Sequence, residues 1–336
     1  MSQDLRIIID RDIPFIEGLF EPYAEVVYLA GGDIDRAAVA DCDALVVRTS
    51  TRCDEKLLDG SSVRFIATAT IGTDHIDAAY CLKRGIIVAN AAGCNARGVL
   101  QWVAAVLRHI VARRGCSPEM LKLGVVGVGN VGSLVAHYAE AWGFKVLKCD
   151  PPRARREEEG DFRAYEELLC ECDILTFHTP LDATTRHMLS AREIAMLKPN
   201  AVIVNASRGE VVDNRAVAAS GHDYYFDVWE GEPDMPKDIL EGAQLATPHI
   251  AGYSRQGKAN ATAMVVRALA SMFGFRLGGW YPEGVTPTTP REIGWEELAS
   301  TIGNFFDIEA ESATLKASPE RFEALRNGYR YRSEYF

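Results

Sequence analysis

Three side chains that could act together stand just after predicted β-strands in the second half of this chain. Arg208 follows AVIVNAS, Glu232 follows YYFDVWEG, and His249 follows QLATP. A guanidinium can hold a carboxylate through two parallel hydrogen bonds and polarise the neighbouring C–O bond. An imidazole can take a hydroxyl proton as hydride leaves the adjoining carbon, and return it in the reverse direction. A carboxylate against the other ring nitrogen fixes the tautomer and favours the imidazolium. Such a set would suit hydride transfer to or from a 2-hydroxy acid, with a nicotinamide carrying the hydride. The residues alone leave other assignments open. His178 also follows a strand, His75 sits in the polar sequence GTDHID, Arg208 could be a surface ion pair, and Glu232 a loop acid before Pro233.

The stretch from Lys122 to Asp150 says where the nicotinamide would come from. An apolar run beginning at Leu123 leads into Gly127, Gly129 and Gly132, spaced G-x-G-x-x-G. Asn130 and Val131 open an amphipathic segment with Val131, Leu134, Val135, Tyr138 and Trp142 at helical intervals. A second apolar run, Phe144 to Leu147, then ends at Cys149 and Asp150. Strand, glycine turn, helix, strand and acid is the context a dinucleotide fingerprint requires. Gly127 would allow the tight turn, Gly129 the approach of pyrophosphate, and Gly132 close packing of helix on strand. The helix N-terminus would offer N–H groups and a positive dipole end to the phosphates. Asp150, 18 residues after Gly132, would accept hydrogen bonds from both ribose hydroxyls and repel a 2′-phosphate. NAD is therefore expected over NADP, although Arg153, Arg155 and Arg156 weigh against that preference.

These groups need a scaffold. Runs at 5–10, 25–29, 43–48, 64–69 and 85–89 read as strands, with helix-like stretches such as Pro14–Tyr23 and Asp54–Leu58 between them. Alternation of this kind argues a parallel α/β domain. A long helix from about Ala96 to Arg113 follows, with an apolar stripe from Val99 to Val111. Further strands are expected at 173–178, 201–205, 224–228 and 244–246, with helices near 165–170, 191–197, 214–219 and 258–272. The expected fold class is α/β, with two doubly wound parallel-sheet domains and a small C-terminal segment. The first domain would cover 1–93 and be completed by about 258–280. The nucleotide-binding domain would cover 94–257, and 281–336 would be a small appendage after a Gly/Pro/Thr-rich linker at 278–290.

At 336 residues, 48% hydrophobic and 25% charged, the composition is that of a globular protein of two or three domains. A formal charge of −11 argues against a nucleic-acid partner, which needs a basic face. No apolar run is long enough to span a membrane, and MSQDLRIIID lacks the marks of a signal peptide. Eight cysteines without a CxxC pair or His/Cys cluster point to neither a disulfide framework nor a metal site. A reducing cytoplasm is expected.

The segments GVVGVGNVGS, LTFHTPL, VNASRGEVVDN, DVWEGEP and TPHIAGYS, in this order, resemble the NAD-dependent D-2-hydroxyacid dehydrogenases. Within that family, ATATIGTDHID, AAGCNA, CDPPR followed by EGDF, and DVWEGEPD with HIAGYS resemble a branch acting on a phosphorylated 2-hydroxy acid. The resemblance implies that Arg208 binds the carboxylate, His249 exchanges the proton, and Glu232 is its partner. It implies that Asp150, Thr179, Ala206, Ser207, Arg208, Asp227 and Gly252 line the NAD site. It also implies that Thr49, Thr70 and Tyr253 touch substrate. A homodimer formed through the C-terminal segment is implied too, with PERFEALRNGYRYRSEYF matching part of that segment. Ser207 stands where a Cys is common and Gln101 where a Glu is, and neither is expected to carry the chemistry. The tail, ending at Phe336, is shorter than the resemblance leads one to expect. One of Arg326, Arg330 and Arg332 is expected to neutralise the substrate phosphate. Two other readings share the scaffold: a different 2-hydroxyacid specificity such as 3-phosphoglycerate, and a non-enzymatic NAD(H)-sensing protein.

Overall fold

The computed structural model describes residues 5–157 and 160–336. The first four residues of the N-terminal segment and Glu159 of EGDF lie outside the described residues. The chain forms two compact units, one from the N-terminus to Asn95 with Arg255–Pro287, the other Ala96–Ser254 with Thr288–Phe336.

The first unit is built on five parallel strands: β1 (Arg6–Asp10), β2 (Glu25–Leu29), β3 (Ala44–Val47), β4 (Phe65–Thr68) and β5 (Ile87–Asn90). Their order in the sheet is β2-β1-β3-β4-β5. β3 and β4 are buried along their whole length, as parallel strands covered on both faces must be. Ile8, Leu45, Val47 and Ile66 pack on one side with Leu57, Leu58 and Tyr80 from the short helices. Asp54 and Asp77 cap two of those helices, accepting from the N–H groups of Leu57 and Tyr80. The other face holds Ile7, Ile9, Val46 and Phe65 against Val265, Val266 and Leu269 of the late helix Arg255–Phe273.

Residues 14–23, expected as a helix, are instead a succession of turns. Phe15 and Gly18 have φ of 66° and 82°, which no right-handed helix accommodates. Ile13, Ile16 and Phe20 reach the core from this turn, and Thr262 donates to the carbonyl of Pro14 at 2.8 Å. The helical spacing of their apolar residues reports burial here, not helix.

The second unit has six parallel strands: β6 (Lys122–Val126), β7 (Lys145–Cys149), β8 (Ile174–Phe177), β9 (Val202–Asn205), β10 (Tyr224–Phe226) and β11 (Leu245–Ala246). The order is β11-β10-β9-β8-β6-β7, so the chain reverses its progression between β6 and β8. That switch point is where an open α/β sheet receives its ligand, beyond the carboxyl ends of the strands. β10 stops at Phe226, short of the expected Val228; the Asp227 N–H still donates to the Asn205 carbonyl at 3.0 Å, while its side chain holds a neighbouring loop.

The tail is not an appendage. Residues 288–336 belong to the second unit, through helices Trp295–Phe305, Ile308–Ala317 and Phe322–Asn327. Leu298, Ile302, Phe306, Ile308 and Phe336 share one core with Trp102, Val103, Val106 and Leu107 of the helix Ala96–Arg114. That helix is accordingly buried on every side from Val99 to Leu107, where an apolar stripe was expected.

Candidate active site

The glycine turn has the shape its spacing predicts. Gly127 has a φ of 84°, and a Cβ there would lie 2.8 Å from the carbonyl carbon of His178 and 2.9 Å from Thr179 Cγ2. A Cβ at Gly132 would lie 1.9 Å from the Gly127 oxygen. At Gly129 a Cβ would meet nothing within 4 Å. Two of the three glycines are therefore required by the protein's own packing, while the third leaves an open face. Helix Asn130–Ala141 starts beside that face, and Gly129 provides no side-chain cap for its first N–H groups. These features fit a pyrophosphate.

Asp150 ties the turn to the end of β7. Its Oδ2 accepts from Val128 N at 2.8 Å and its Oδ1 from Arg153 N at 2.9 Å. Each carboxylate oxygen keeps a second lone-pair direction for a ribose hydroxyl. Arg153, which weighed toward a 2′-phosphate, is engaged elsewhere. It pairs with Glu157 at 2.7 Å, donates to the Val128 carbonyl, and covers the Phe162 ring at 5.2 Å.

The turn after β9 is wrapped by a side chain that sequence reasoning missed. Buried Asn205 accepts from Ser207 N at 3.0 Å and Ser207 Oγ at 2.8 Å, and donates to the Arg208 carbonyl at 2.9 Å. Ala206, Ser207 and Arg208 are thereby set at the carboxyl end of the sheet. Arg208 Nη1 donates to the Ser207 carbonyl at 2.8 Å.

At the ends of β10 and β11, His249 Nδ1 lies 2.8 Å from Glu232 Oε2, and Glu232 Oε1 accepts from Trp229 N at 2.9 Å. Burial pushes the Glu232 carboxyl upward. The hydrogen bond and charge of His249, the Trp229 N–H and Arg326 outweigh this and hold it below the usual glutamate range. His249 sits in the left-handed region, φ 56°, which costs a non-glycine residue and persists where its surroundings enforce it.

Asp227 is what enforces it. Its buried carboxylate accepts from Thr247 Oγ1 at 2.6 Å, Ile250 N at 2.8 Å and Ala251 N at 2.8 Å, while its carbonyl takes His249 N. Burial raises its pKa, against the pull of His249 and these donors. Gly252 and Tyr253 follow on the same loop. A Cβ added to Gly98 would lie 3.3 Å from the Gly252 carbonyl.

The two other histidines considered from sequence are differently placed. His178 Nε2 lies 3.0 Å from Thr176 Oγ1, and burial of its ring lowers its pKa to about 3. His75 Nε2 lies 3.1 Å from Thr68 Oγ1, and its pKa is lowered by burial, against Asp74. Of the three, His249 is the one hydrogen-bonded to a carboxylate.

In the first unit, Thr49 and Thr70 follow β3 and β4. Thr70 Oγ1 donates to the Gly72 carbonyl at 2.9 Å and lies 2.7 Å from Thr68 Oγ1. Thr49 is exposed. Beside it Arg48, absent from the sequence-derived site, is fixed by buried Asp10 at 3.0 and 3.1 Å and by Asp12 at 2.7 Å. An acid at the end of β1 and an arginine at the end of β3 were the available signal.

The tail arginines separate. Arg330 is exposed. Arg332 is buried, donating to the carbonyls of Gly98 at 2.8 Å, Ile250 at 3.1 Å, Tyr253 at 3.2 Å and Ala251, with its guanidinium 4.2 Å from the Phe306 ring centre. It staples the loop after His249 through Nη1 and Nη2, while its Nε is buried without a hydrogen-bond partner among the described residues. Arg326 stands beside Tyr253 and Glu232.

Residues 96–251 match the family model for the D-isomer specific 2-hydroxyacid dehydrogenase NAD-binding domain. The chain is 43% identical to an erythronate-4-phosphate dehydrogenase of Bacteroides fragilis, over 98% of this chain and 97% of that one. It is 38% identical to an Escherichia coli protein of the same name, over 98% and 92% of the two chains. Among solved structures it resembles the TT0316 protein of Thermus thermophilus, with a TM-score of 0.67, 27% identity, and coverage of 80% and 97%. NAD-bound 3-phosphoglycerate dehydrogenase of Entamoeba histolytica shares the fold, with a TM-score of 0.67, 23% identity, and coverage of 85% and 100%.

Proposed function

Since the chain belongs to the erythronate-4-phosphate dehydrogenases, a branch of the NAD-dependent D-2-hydroxyacid dehydrogenases, we propose that it oxidises 4-phospho-D-erythronate to 2-oxo-3-hydroxy-4-phosphobutanoate, in pyridoxal 5′-phosphate biosynthesis. NAD is the cofactor, and when bound it accepts the hydride from C2. The observation that carries the reading is the His249–Glu232 contact of 2.8 Å on a loop held by Asp227.

Glu232 holds the proton on Nδ1, which leaves Nε2 as the basic nitrogen. Nε2 takes the proton of the 2-hydroxyl as the C2–H bond breaks, and returns it to the ketone oxygen in the reverse direction. The imidazolium so formed is stabilised by the ionised Glu232. Arg208 binds the substrate carboxylate, and Thr49, Thr70 and Tyr253 contact the remainder. Gly127, Gly129, Asn130, Val131 and Gly132 receive the pyrophosphate, and Asp150 receives the ribose. Thr179, Ala206, Ser207 and Gly252 line the rest of the cofactor site, and Asp227 shapes it by holding residues 250 and 251.

The protein works as a homodimer through its C-terminal segment, a reading supported by the exposed Phe305 stacked on Tyr335 at 3.9 Å. It is cytoplasmic, a reading supported by eight free cysteines. No helix among the described residues is long and apolar enough to cross a membrane.

The test is NADH formation with 4-phospho-D-erythronate, 3-phosphoglycerate and D-lactate in parallel. Preference for the erythronate ester, lost in His249→Ala, is expected. Preference for 3-phosphoglycerate would keep the chemistry and move the substrate. Failure with every 2-hydroxy acid and every 2-oxo acid would leave an NAD(H) sensor.

A further inference from the structure

The last helix of the chain brings one side chain to the acid/base pair. Phe322 is fully buried in the same apolar cluster as Leu240, Ala246 and Leu315, and anchors helix Phe322–Asn327 at its first residue. Arg326 lies four residues on, so it shares the inward face of that helix. Its Nε donates to the Tyr253 hydroxyl at 3.3 Å. Its Nη1 lies 3.9 Å from Glu232 Oε2, the same oxygen that meets His249 Nδ1. The rest of the tail fixes what Arg326 faces. Tyr329 and Tyr331 set their rings edge-on to Tyr253 at 6.2 and 5.9 Å, Arg332 holds the Ile250, Ala251 and Tyr253 carbonyls, and Ser254 donates to Glu334 at 2.6 Å.

We propose that Arg326 is a positioning residue of the His249–Glu232 pair: it shares the Glu232 carboxylate with the imidazole and pins the Tyr253 hydroxyl, which makes the tail part of the active centre of its own chain. The inference rests on His249 being the acid/base of the preceding section. Its physics is a competition for one carboxylate. Glu232 draws a proton onto His249, while a guanidinium beside the same oxygen neutralises part of that pull and repels the imidazolium. Among the titratable and charged groups near His249 are Glu232 and Asp227 from the end of β10, Tyr253 on its own loop, and Arg326, Tyr329 and Arg332 from the tail, and the proposed function adds Arg208 from the turn after β9. Arg332 donates to backbone carbonyls, whereas Arg326 brings a cationic nitrogen to 3.9 Å from the Glu232 oxygen that meets His249. A carboxylate held without this arginine would keep His249 protonated to higher pH and leave less of the neutral base that oxidation needs.

The experiment is an NMR titration of the His249 ring in the wild type, Arg326→Gln, Arg326→Met and Arg326→Lys, with the His249 signal identified by its loss in His249→Ala. The acid limb of kcat/KM for 4-phospho-D-erythronate is followed in the same proteins. NADH binding reports that each variant is folded. In the two uncharged variants the midpoint and the limb should both rise by about half to one pH unit. The lysine variant, which keeps the charge, should restore both. Packing alone would move neither. Unchanged midpoints in folded Gln or Met variants would overturn the proposal. So would a raised KM confined to phosphorylated substrates with no shift, which would assign Arg326 to the substrate phosphate. If the wild type oxidises no 2-hydroxy acid, the dehydrogenase reading falls while the ring titration still decides the role of Arg326.

Discussion

The strand ends of the two units place their functional side chains by different means. In the second unit, buried acceptors fix each turn. Asn205 wraps the turn before Arg208, Asp227 holds both flanks of His249, and Thr247 links Asp227 to Trp102 through a 2.9 Å bond from the indole. In the first unit the pattern is looser. Thr49 is exposed, and Arg48 is one-third exposed although Asp10 grips two of its nitrogens. Proton transfer demands hydrogen-bond distances, and a small displacement of the imidazole is costly. Substrate recognition by several side chains tolerates more freedom. On the proposed function, the rigid network holds the bond-breaking groups and the exposed one the groups for recognition.

Mutations can break or sharpen that contrast. The largest effect is expected from His249→Ala, which should lower kcat by about 10²- to 10⁴-fold with NADH affinity retained. Equal loss of both would mean that the loop, not the base, had been removed. Asp227→Ala should come next, since it strands two backbone N–H groups and a hydroxyl in a buried site. A stability loss of about 2–4 kcal/mol in urea unfolding is expected, together with a loss of activity. Asp150→Gly should weaken NAD binding by about tenfold and narrow the preference over NADP, read from the two dissociation constants. In the looser unit, Thr70→Ala should raise KM several-fold and leave kcat nearly intact. A fall in kcat as large as that of the Asp227 variant would erase the proposed division.

The smallest effect concerns pH. Glu232 is held below its ordinary range, so the stability it contributes is complete above the unfolded-state value. That contribution is lost as pH falls through the folded one. Glu232→Gln should therefore flatten the acid side of the urea-midpoint curve. An acid side as steep as that of the wild type would place the responsible carboxyl elsewhere.

Much of this arrangement was legible in the sequence because its causes are local. Short β-branched runs and three glycines at fixed spacing act within a few residues of one another. The turns at 14–23 were misread because apolar spacing reports which residues are buried, while Phe15 and Gly18 decide the backbone. The tail was misread because its partners are remote: Arg332 donates to Gly98, 234 positions away. Asn205 and Asp227 stabilise turns whose other members come from loops that only folding brings together. A polar residue at a strand end gives no sign of which loop it will hold.

The pH dependence of kcat/KM in Glu232→Gln tests the acid/base pair most directly. Without the carboxylate the imidazolium loses its stabilising charge, so the acid limb for 4-phospho-D-erythronate oxidation should move to lower pH while the plateau falls. A limb at the wild-type position, with NADH binding intact, would contradict the assignment of His249 and Glu232 as the pair that moves the proton.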